Sequence, residues 1–479
     1  MHRARTQRLV GVGSSLALAL ALAGGCGDDT TTTATSDTDV GTSGDSAPST
    51  SGDATATTAG SSDAGSDGSS DATTASSGTE TTDASSSDSE TTEASTTVDP
   101  TDATVTTTAP ETETDGTETD GDTETDGETD GDAWSVPACD GIAGAPGIGF
   151  APDEGASVLP SLVPGPPGKT YTHGLVALPA VDTLVMEHAG TVYRSTDAGC
   201  QWEALGPAPY APMRMTAGPG ERAWAWSDNA DALLRIDGAA LTTLAAPTPN
   251  ILGLGADPDD PERARIGDHA GGLVETVNGG LLWKKLGVIA PIGPLKYRAA
   301  FDPNDLDHVL FGTTQLGFVV TFDGGAEWQE VTFLGAEGHA INGFDAVISA
   351  ADGAVVWALA LDVTEADMNP DVTGRHIFRS EDGGLSFSAV VDQWSPNDDV
   401  ILTNGTRIVA HPEDAEILYF VFGTCFSGYG TNLYRYHAGD QSLTWHNHPY
   451  ADFGQIAVSP ADPTFLYVGI DGDDNVQCP

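Results

Sequence analysis

The sequence predicts an all-β fold for residues 133–479, built from antiparallel strands in units that repeat along the chain. One turn motif recurs four times, short apolar segments flank each copy, and proline-bearing turns recur between the copies. The 479 residues include 58 glycines and 29 prolines, which favours many turns and few long helices. Residues before 133 differ in composition and are predicted to lie outside this domain.

Residues 1–25 are predicted to be an export signal. Three arginines near the start precede an apolar stretch over 9–23, and small residues stand before Cys26. Residues 22–26, Leu-Ala-Gly-Gly-Cys, resemble a bacterial lipoprotein signal, which implies that Cys26 is lipidated after cleavage. The apolar stretch is too short to span a bilayer, so we expect a lipid anchor in the bacterial envelope, at the outer membrane or cell surface. The alternative is a plain secretory signal with a chance cysteine.

Residues 26–132 are predicted to be a disordered stalk. From 27 onward this segment is rich in Thr, Ser, Asp and Gly, with 27 acidic residues and no basic one. Such a chain buries too little apolar surface to offset its ordering entropy. It would lift the following domain off a membrane.

The charge of the domain argues against nucleic acid as a partner. Residues 133–479 carry 44 acidic and 15 basic residues, a net charge of −29. Binding a duplex requires a basic face that neutralises phosphates, and only a few lysines cluster near 284–298. We therefore expect no nucleic-acid partner.

The turn motif has the form S/T-x-D/N-x-G-x-x-W/F. Its hydroxyl and carboxylate are suited to accept hydrogen bonds from turn amides, its glycine to adopt positive φ, and its aromatic ring to pack back on the sheet. The role is structural, and no chemistry is expected there. The four copies are Ser195, Asp197, Gly199, Trp202; Thr276, Asn278, Gly280, Trp283; Thr321, Asp323, Gly325, Trp328; and Ser380, Asp382, Gly384, Phe387.

This motif resembles the Asp-box, or BNR, repeat of sialidases, sortilin-like receptors, propeller xyloglucan hydrolases and photosystem II assembly factors. The resemblance implies a β-propeller, with each box in the turn between the third and fourth strands of a blade. It also implies that ligands bind on the opposite face.

The spacing of the turns predicts seven blades. Six full units can be placed, and a seventh at 453–471 has two strands before the chain stops. Propellers close by pairing strands from both chain ends in one blade, so a strand between 142 and 162 is expected to complete it. The alternative is a six-bladed ring with a tail. A monomer is expected.

Cysteine positions suggest how the ring is stapled. Cys139 and Cys478 stand at the two ends of the domain, where a disulfide would join the closing blade. With Cys26 lipidated, Cys200 and Cys425 are left as a second pair by elimination. Free thiols at these two positions are the alternative.

The longest loops on the predicted ligand face lie at 362–374, 392–406 and 423–432. Aromatic rings and carboxylates there would suit a sugar or peptide ligand. The alternative is ordinary solvated loops. The exposed candidates are Asp362, Glu365, Asp367, Met368, Trp394, Asp398, Asp399, Phe426 and Tyr429.

Arg214, Arg298 and Arg407 share one position, five residues before the turn proline on three inner strands. Because inner strands begin beside the central channel, these side chains are predicted to converge at its mouth. Clustered arginines bind carboxylate or phosphate through paired hydrogen bonds. The alternative is that each arginine pairs separately with a nearby acid such as Asp345.

These features predict a non-enzymatic propeller that binds a glycan, peptide or other anionic or polar ligand, with no cofactor or metal. The alternative is an exo-glycosidase. A sialidase-like enzyme would use Tyr297 as nucleophile, but a strand containing Tyr297 and Arg298 would point them to opposite sides. A xyloglucan-hydrolase-like enzyme would need two inward carboxylates, such as Asp345 and Asp362.

Overall fold

A computed structural model describes residues 133–293, 297–393, 400–425 and 428–472. The described part contains 29 strands, one α-helix and a short 3-10 helix at Asp153–Gly155. None of its helices is long and apolar enough to cross a membrane. The signal at 1–25, Cys26, the stalk at 26–132, Trp394, Asp398, Asp399, Phe426 and Cys478 lie outside the described residues.

Two short strands open the domain, and three antiparallel four-stranded sheets of consecutive strands follow. The opening strands are β1 (Ile148–Ala151) and β2 (Leu159–Pro160). The first sheet contains β3 (Gly174–Ala177), β4 (Leu184–His188), β5 (Thr191–Ser195) and β6 (Glu203–Pro207). The second contains β7 (Arg214–Ala217), β8 (Arg222–Trp226), β9 (Ala232–Asp237) and β10 (Ala240–Ala245). The third contains β11 (Ile251–Ala256), β12 (Arg263–Asp268), β13 (Leu273–Val277) and β14 (Lys284–Leu286).

The next sheet has nine strands and contains two four-stranded antiparallel units. The first unit comprises β15 (Ala299–Phe301), β16 (Val309–Gly312), β17 (Leu316–Thr321) and β18 (Gln329–Glu330), and is followed by β19 (Thr332–Phe333). The second comprises β20 (Ile341–Ile348), β21 (Val356–Asp362), β22 (Arg375–Ser380) and β23 (Ser386–Asp392), with helix α1 (Val363–Met368) after β21. Short parallel pairings, β17 with β20 and β19 with β23, join the two units.

The last strands complete one sheet and share another with the start of the domain. One sheet contains β24 (Arg407–Ala410), β25 (Ile417–Thr424), β26 (Gly430–His437) and β27 (Ser442–His448). The strands β28 (Asp452–Val458) and β29 (Leu466–Asp471) then form a sheet with β1 and β2. Ile148 is paired with Gly469, so strands from both ends of the domain share a sheet, as the sequence predicted.

The first strands of the units form a ring. In order, β3, β7, β11, β15, β20, β24 and β28 contact one another, and β28 contacts β3. The core lies between neighbouring sheets; for example, Trp357 of β21 packs edge-on against Tyr436 of β26. Sheets radiating from a ring of inner strands constitute a β-propeller.

The four repeated turns have one hydrogen-bonded structure. In the first, Gly199 N donates to Ser195 Oγ at 2.9 Å, and Gln201 N donates to Asp197 Oδ1 at 2.8 Å. The same two bonds occur in the other three turns, all within 3.0 Å. Each motif glycine has φ between +85° and +92°, a region that favours glycine. As predicted, each turn connects the third and fourth strands of a unit.

The predicted cysteine pairing is wrong. Cys139 forms a disulfide with Cys200, not with Cys478, and Cys200 is therefore not paired with Cys425. The segment at 139–143 runs beside the first repeated turn, where Ala143 N donates to Cys200 O and Trp202 N donates to Ala143 O. This path brings Cys139 against the first sheet before the chain enters β1. Cys425 is also disulfide-bonded and is not a free thiol.

Candidate functional site

The inner strands give the channel two distinct ends. Strands of an antiparallel unit alternate in direction, so the first strand begins at the end opposite the turn between the third and fourth strands. We call the end where β7 and β24 begin, with Arg214 and Arg407, the arginine face. The other end, which carries the four repeated turns, is the turn face.

A cavity of about 230 Å³ lies at the arginine face, and all three predicted arginines line it. Inner strands from several units supply its wall, as the shared register requires. Its other polar side chains come from His173, Thr216, Asp345 and Gln455. The three arginines therefore border one common space.

Two of the arginines share an acid. Arg214 Nε lies 2.5 Å from Asp228 Oδ2, and an Arg298 nitrogen lies 3.7 Å from the same oxygen. Arg298 Nε also lies 3.0 Å from Asp345 Oδ2. Arg214 and Arg298 therefore share Asp228, and Arg298 also pairs with Asp345, the acid named in the alternative of separate pairings.

Arg407 differs from the other two arginines. Within the described ranges, no carboxylate lies within ion-pair distance of its guanidinium. Asp471, Asp345 and Asp452 attract it at longer range, whereas burial and the charge of Arg214 lower its pKa to about 10. The group thus remains a cation at neutral pH and presents hydrogen-bond donors to the cavity.

Burial also shifts the pKa values of the acids and the histidine around the cavity. Burial raises the pKa of Asp345 to about 7, although Arg214 and Arg407 oppose the shift. Burial, together with the charge of Asp471, raises the pKa of Asp452 to about 7. Burial and the nearby charges of Arg407 and Arg214 lower the pKa of His173 to about 2, so this histidine is neutral. As pH falls through 7, the site loses negative charge.

A second cavity, of about 420 Å³, adjoins the first, and Arg298 lines both. Tyr297 also lines this second cavity, and its ring packs edge-on against Phe344 at 5.0 Å. Tyr297 and Arg298 both precede strand β15, which begins at Ala299, so strand alternation does not apply to them.

The predicted rim carboxylate Asp362 is not exposed. Its side chain accepts a hydrogen bond from Glu365 N at 2.8 Å and thereby caps helix α1. Its other oxygen lies 2.6 Å from His339 Nδ1, and the residue is 4% exposed. Asp362 therefore has a structural role, because the sequence that was predicted as a loop begins with a helix.

The other rim candidates that the structure describes do not line the channel cavity. Asp367 and Met368 are exposed on α1, and Glu365 is bonded to His376 at 2.6 Å. Tyr429 is 38% exposed and packs edge-on against Phe422. None of these residues lines the cavity at the arginine face.

Four residues of this region were missed by the sequence analysis: His173, Asp228, Asp452 and Asp471. His173 Nε2 lies 3.4 Å from Asp471 Oδ2, and Asp452 is paired with Asp471 across β28 and β29. A signal existed for Asp471 alone, because it ends its strand as Asp268 ends β12 and Asp362 ends β21. That recurrence marks a second register at the arginine face.

No cluster of His, Cys, Asp and Glu in the described ranges is arranged to hold a metal ion. The chemistry that the described residues favour is recognition of an anion. Arg407 and Arg214 supply hydrogen-bond donors to the cavity. The protonation of the nearby carboxyl groups, such as that of Asp345, sets how much of the positive charge is neutralised.

Comparison with known proteins gives one extensive match. No family model matches the chain. It is 41% identical over 341 residues to the dispase autolysis-inducing protein of Streptomyces mobaraensis, a match covering 71% of this chain and 90% of that protein.

Similarity to solved structures is more distant. A GH74 enzyme of Niastella koreensis aligns with a TM-score of 0.46 and 15% identity, over 64% of this chain and 53% of that one. YCF48 bound to D1 peptide aligns with a TM-score of 0.41 and 13% identity, over 70% of this chain and 99% of that one. The chain thus spans about half the length of the GH74 enzyme.

Proposed function

Since the chain belongs to the family of the dispase autolysis-inducing protein, we propose that it is a non-enzymatic binding propeller. Its ligand is an anionic or polar group held at the arginine face. The relative is named for inducing autolysis of dispase, which favours a peptide or protein ligand over a glycan. In this proposal the repeated turns are Asp boxes, the ring has seven blades, and the boxes lie away from the ligand.

The observation that carries this proposal is Arg407. A guanidinium without an ion-pair partner among the described residues faces a cavity that also holds Arg214 and Arg298. Arg407 and Arg214 repel each other in this cavity, and a ligand carboxylate between them would relieve that repulsion while accepting several hydrogen bonds. The domain is otherwise strongly acidic, so the site would select anions locally against an unfavourable overall field.

The test is Arg407→Gln, which removes the cation and keeps hydrogen-bonding capacity. We expect affinity for acidic peptides with a free carboxylate, measured by calorimetry, to fall about 10- to 100-fold, because hydrogen bonds to charged groups contribute about 1.5–3 kcal/mol. The control is Arg263→Gln, since Arg263 pairs with Asp257 and Glu275 outside the cavity. Equal affinities for wild type and Arg407→Gln would exclude the site.

We further propose that the domain is tethered to the cell envelope through lipidated Cys26 and the acidic stalk. Cys26→Ser should move the protein from the membrane fraction to the soluble fraction, because one modified residue carries the attachment. A variant with Ser36→Ala in the stalk serves as the control. Unchanged fractionation of Cys26→Ser would refute the anchor.

An exo-glycosidase is a second candidate because Asp345 lines the cavity and burial raises its pKa to about 7, while Asp452, whose pKa is also raised to about 7, lies near Arg407 outside the cavity lining. A carboxyl group with such a pKa is suited to general acid catalysis. A panel of fluorogenic glycosides distinguishes the two functions. Turnover that is lost in both Asp345→Asn and Asp452→Asn would establish the enzyme and refute pure binding.

A further inference from the structure

The channel behind the arginine face is apolar. A cavity of about 320 Å³ lies toward the turn face, lined by prolines, glycines, alanines, Leu254, Phe301, Val347 and Ile348. Among the described residues that line it, Thr216 and Asp302 alone have polar side chains. Asp302 is 4% exposed and already bonded to His308 Nδ1 at 3.0 Å, so it offers little to a ligand.

This apolar cavity meets the arginine cavity. Five residues line both: Thr216, Leu254, Phe301, Val347 and Ile348. A molecule whose carboxylate sits at Arg407 could therefore extend along the inner strands without leaving the channel. From Arg214 to the end of β7 the wall is four residues long, or about 13 Å at the usual rise of a strand.

We propose that the channel binds an amphipathic carboxylate, with the carboxylate at Arg407, Arg214 and Arg298 and an apolar chain in the cavity behind them. The inference rests on the proposed anion site and adds the class of ligand. Such a ligand neutralises the cations and removes water from apolar walls at once. An aliphatic acid and a peptide C terminus with an apolar last residue share this chemistry.

The test is a series of straight-chain acids from acetate to octanoate, titrated by calorimetry into the full-length protein. We expect Kd to fall about three- to fourfold for each added methylene until the channel is filled. Octanol and octyl glucoside, which lack the charge, should bind much more weakly. A peptide ending in leucine is titrated in its free and its amidated form. Binding of the free form, lost on amidation and tighter than that of octanoate, would indicate a peptide C terminus, and tighter binding of octanoate would indicate an aliphatic acid.

Two variants separate the carboxylate site from the apolar one. Arg407→Gln should weaken all the acids alike. Ala217→Phe, which places a ring in the apolar cavity at a residue that does not line the arginine cavity, should abolish the gain in affinity with chain length but leave acetate binding unchanged. Should Ala217→Phe fail to fold, Val347→Thr keeps the shape of the side chain but adds a hydroxyl to the apolar wall, and it should reduce the gain in affinity per methylene.

The outcomes are distinguishable. Equal affinity for all acids, still lost in Arg407→Gln, would overturn the apolar site and leave the proposed anion site standing. The inference would be overturned if affinity rose with chain length in Arg407→Gln without any loss relative to wild type, or if octanol bound as tightly as octanoate. Either result would place apolar binding outside this channel. No binding of any acid or acidic peptide would refute the proposed function itself.

Discussion

At the scale of the residue, the buried acids of the arginine face make stability depend on pH. Asp452 has an ordinary pKa of 3.8 that burial and Asp471 raise to about 7 in the folded protein. The folded state therefore holds this proton more tightly than the unfolded state between these values. Its contribution to stability falls as pH rises from about 4 to 7, because the carboxylate must then ionise without water.

Asp452→Asn should remove this penalty. We expect the free energy of unfolding of the variant to exceed that of wild type at pH 8 by at least about 1 kcal/mol, because each unit of pKa shift contributes about that much. The difference should vanish near pH 4, where the carboxyl group is protonated in both states. Thermal unfolding across this pH range is the measurement, with the exposed Asp371→Asn as control. A constant difference at every pH would contradict the raised pKa.

At the scale of the element, the repeated turns are stabilised by their own side chains. Thr321 Oγ1 donates to Asp323 Oδ1 at 2.8 Å and accepts from Gly325 N at 2.9 Å, and the residue is fully buried. Removing the hydroxyl would leave a buried amide without its acceptor. The turn should therefore be sensitive to a change of very few atoms.

Thr321→Ala is expected to destabilise the domain by about 1–3 kcal/mol, as measured by denaturant unfolding. The matched control is Thr332→Ala, because Thr332 is exposed on β19 and its side chain makes no hydrogen bond in the described part. If both variants lost equal stability, the turn would not depend on this hydroxyl.

These turns also explain which parts of the fold the sequence could predict. Their hydrogen bonds join residues within five positions, so the motif reveals the local structure directly. The shared position of the arginines followed from the same repetition. Arg214 begins β7 and Arg407 begins β24, and these equivalent strands start at the same end of the ring. Asp362 was mispredicted because capping depends on whether the next residues form a helix, and the repeat does not encode that.

At the scale of the whole molecule, the disulfide attaches the start of the domain to the first sheet. Cys139 and Cys200 are 61 residues apart, and the chain between them includes the closing strands β1 and β2. The sequence could not reveal this pairing, since the path of the segment before β1 lies outside the repeated units. The pairing depends on the path of residues 139–143, which run beside the first repeated turn.

Replacing both Cys139 and Cys200 with serine should cost about 2–4 kcal/mol, because the bond restricts a long loop of the unfolded chain. Peptide mapping without reductant should recover the two cysteines linked to each other. Denaturant unfolding with and without reductant gives the energetic comparison. Recovery of Cys139 linked to any other cysteine would contradict the structure.

The shared sheet of β1 and β29 sets the order in which the protein can mature. Ile148, near the start of the domain, pairs with Gly469, so this contact must wait until residue 469 has been synthesised. The units between β1 and β28 can form as they are synthesised. Until β29 is present the ring stays open, because β29 pairs with both β1 and β28 and the edges of these two strands have no partner without it. Pairing across so many residues is slow because a long loop must close first. A newly made chain is therefore vulnerable to aggregation and proteolysis until β29 has been synthesised and has paired with β1.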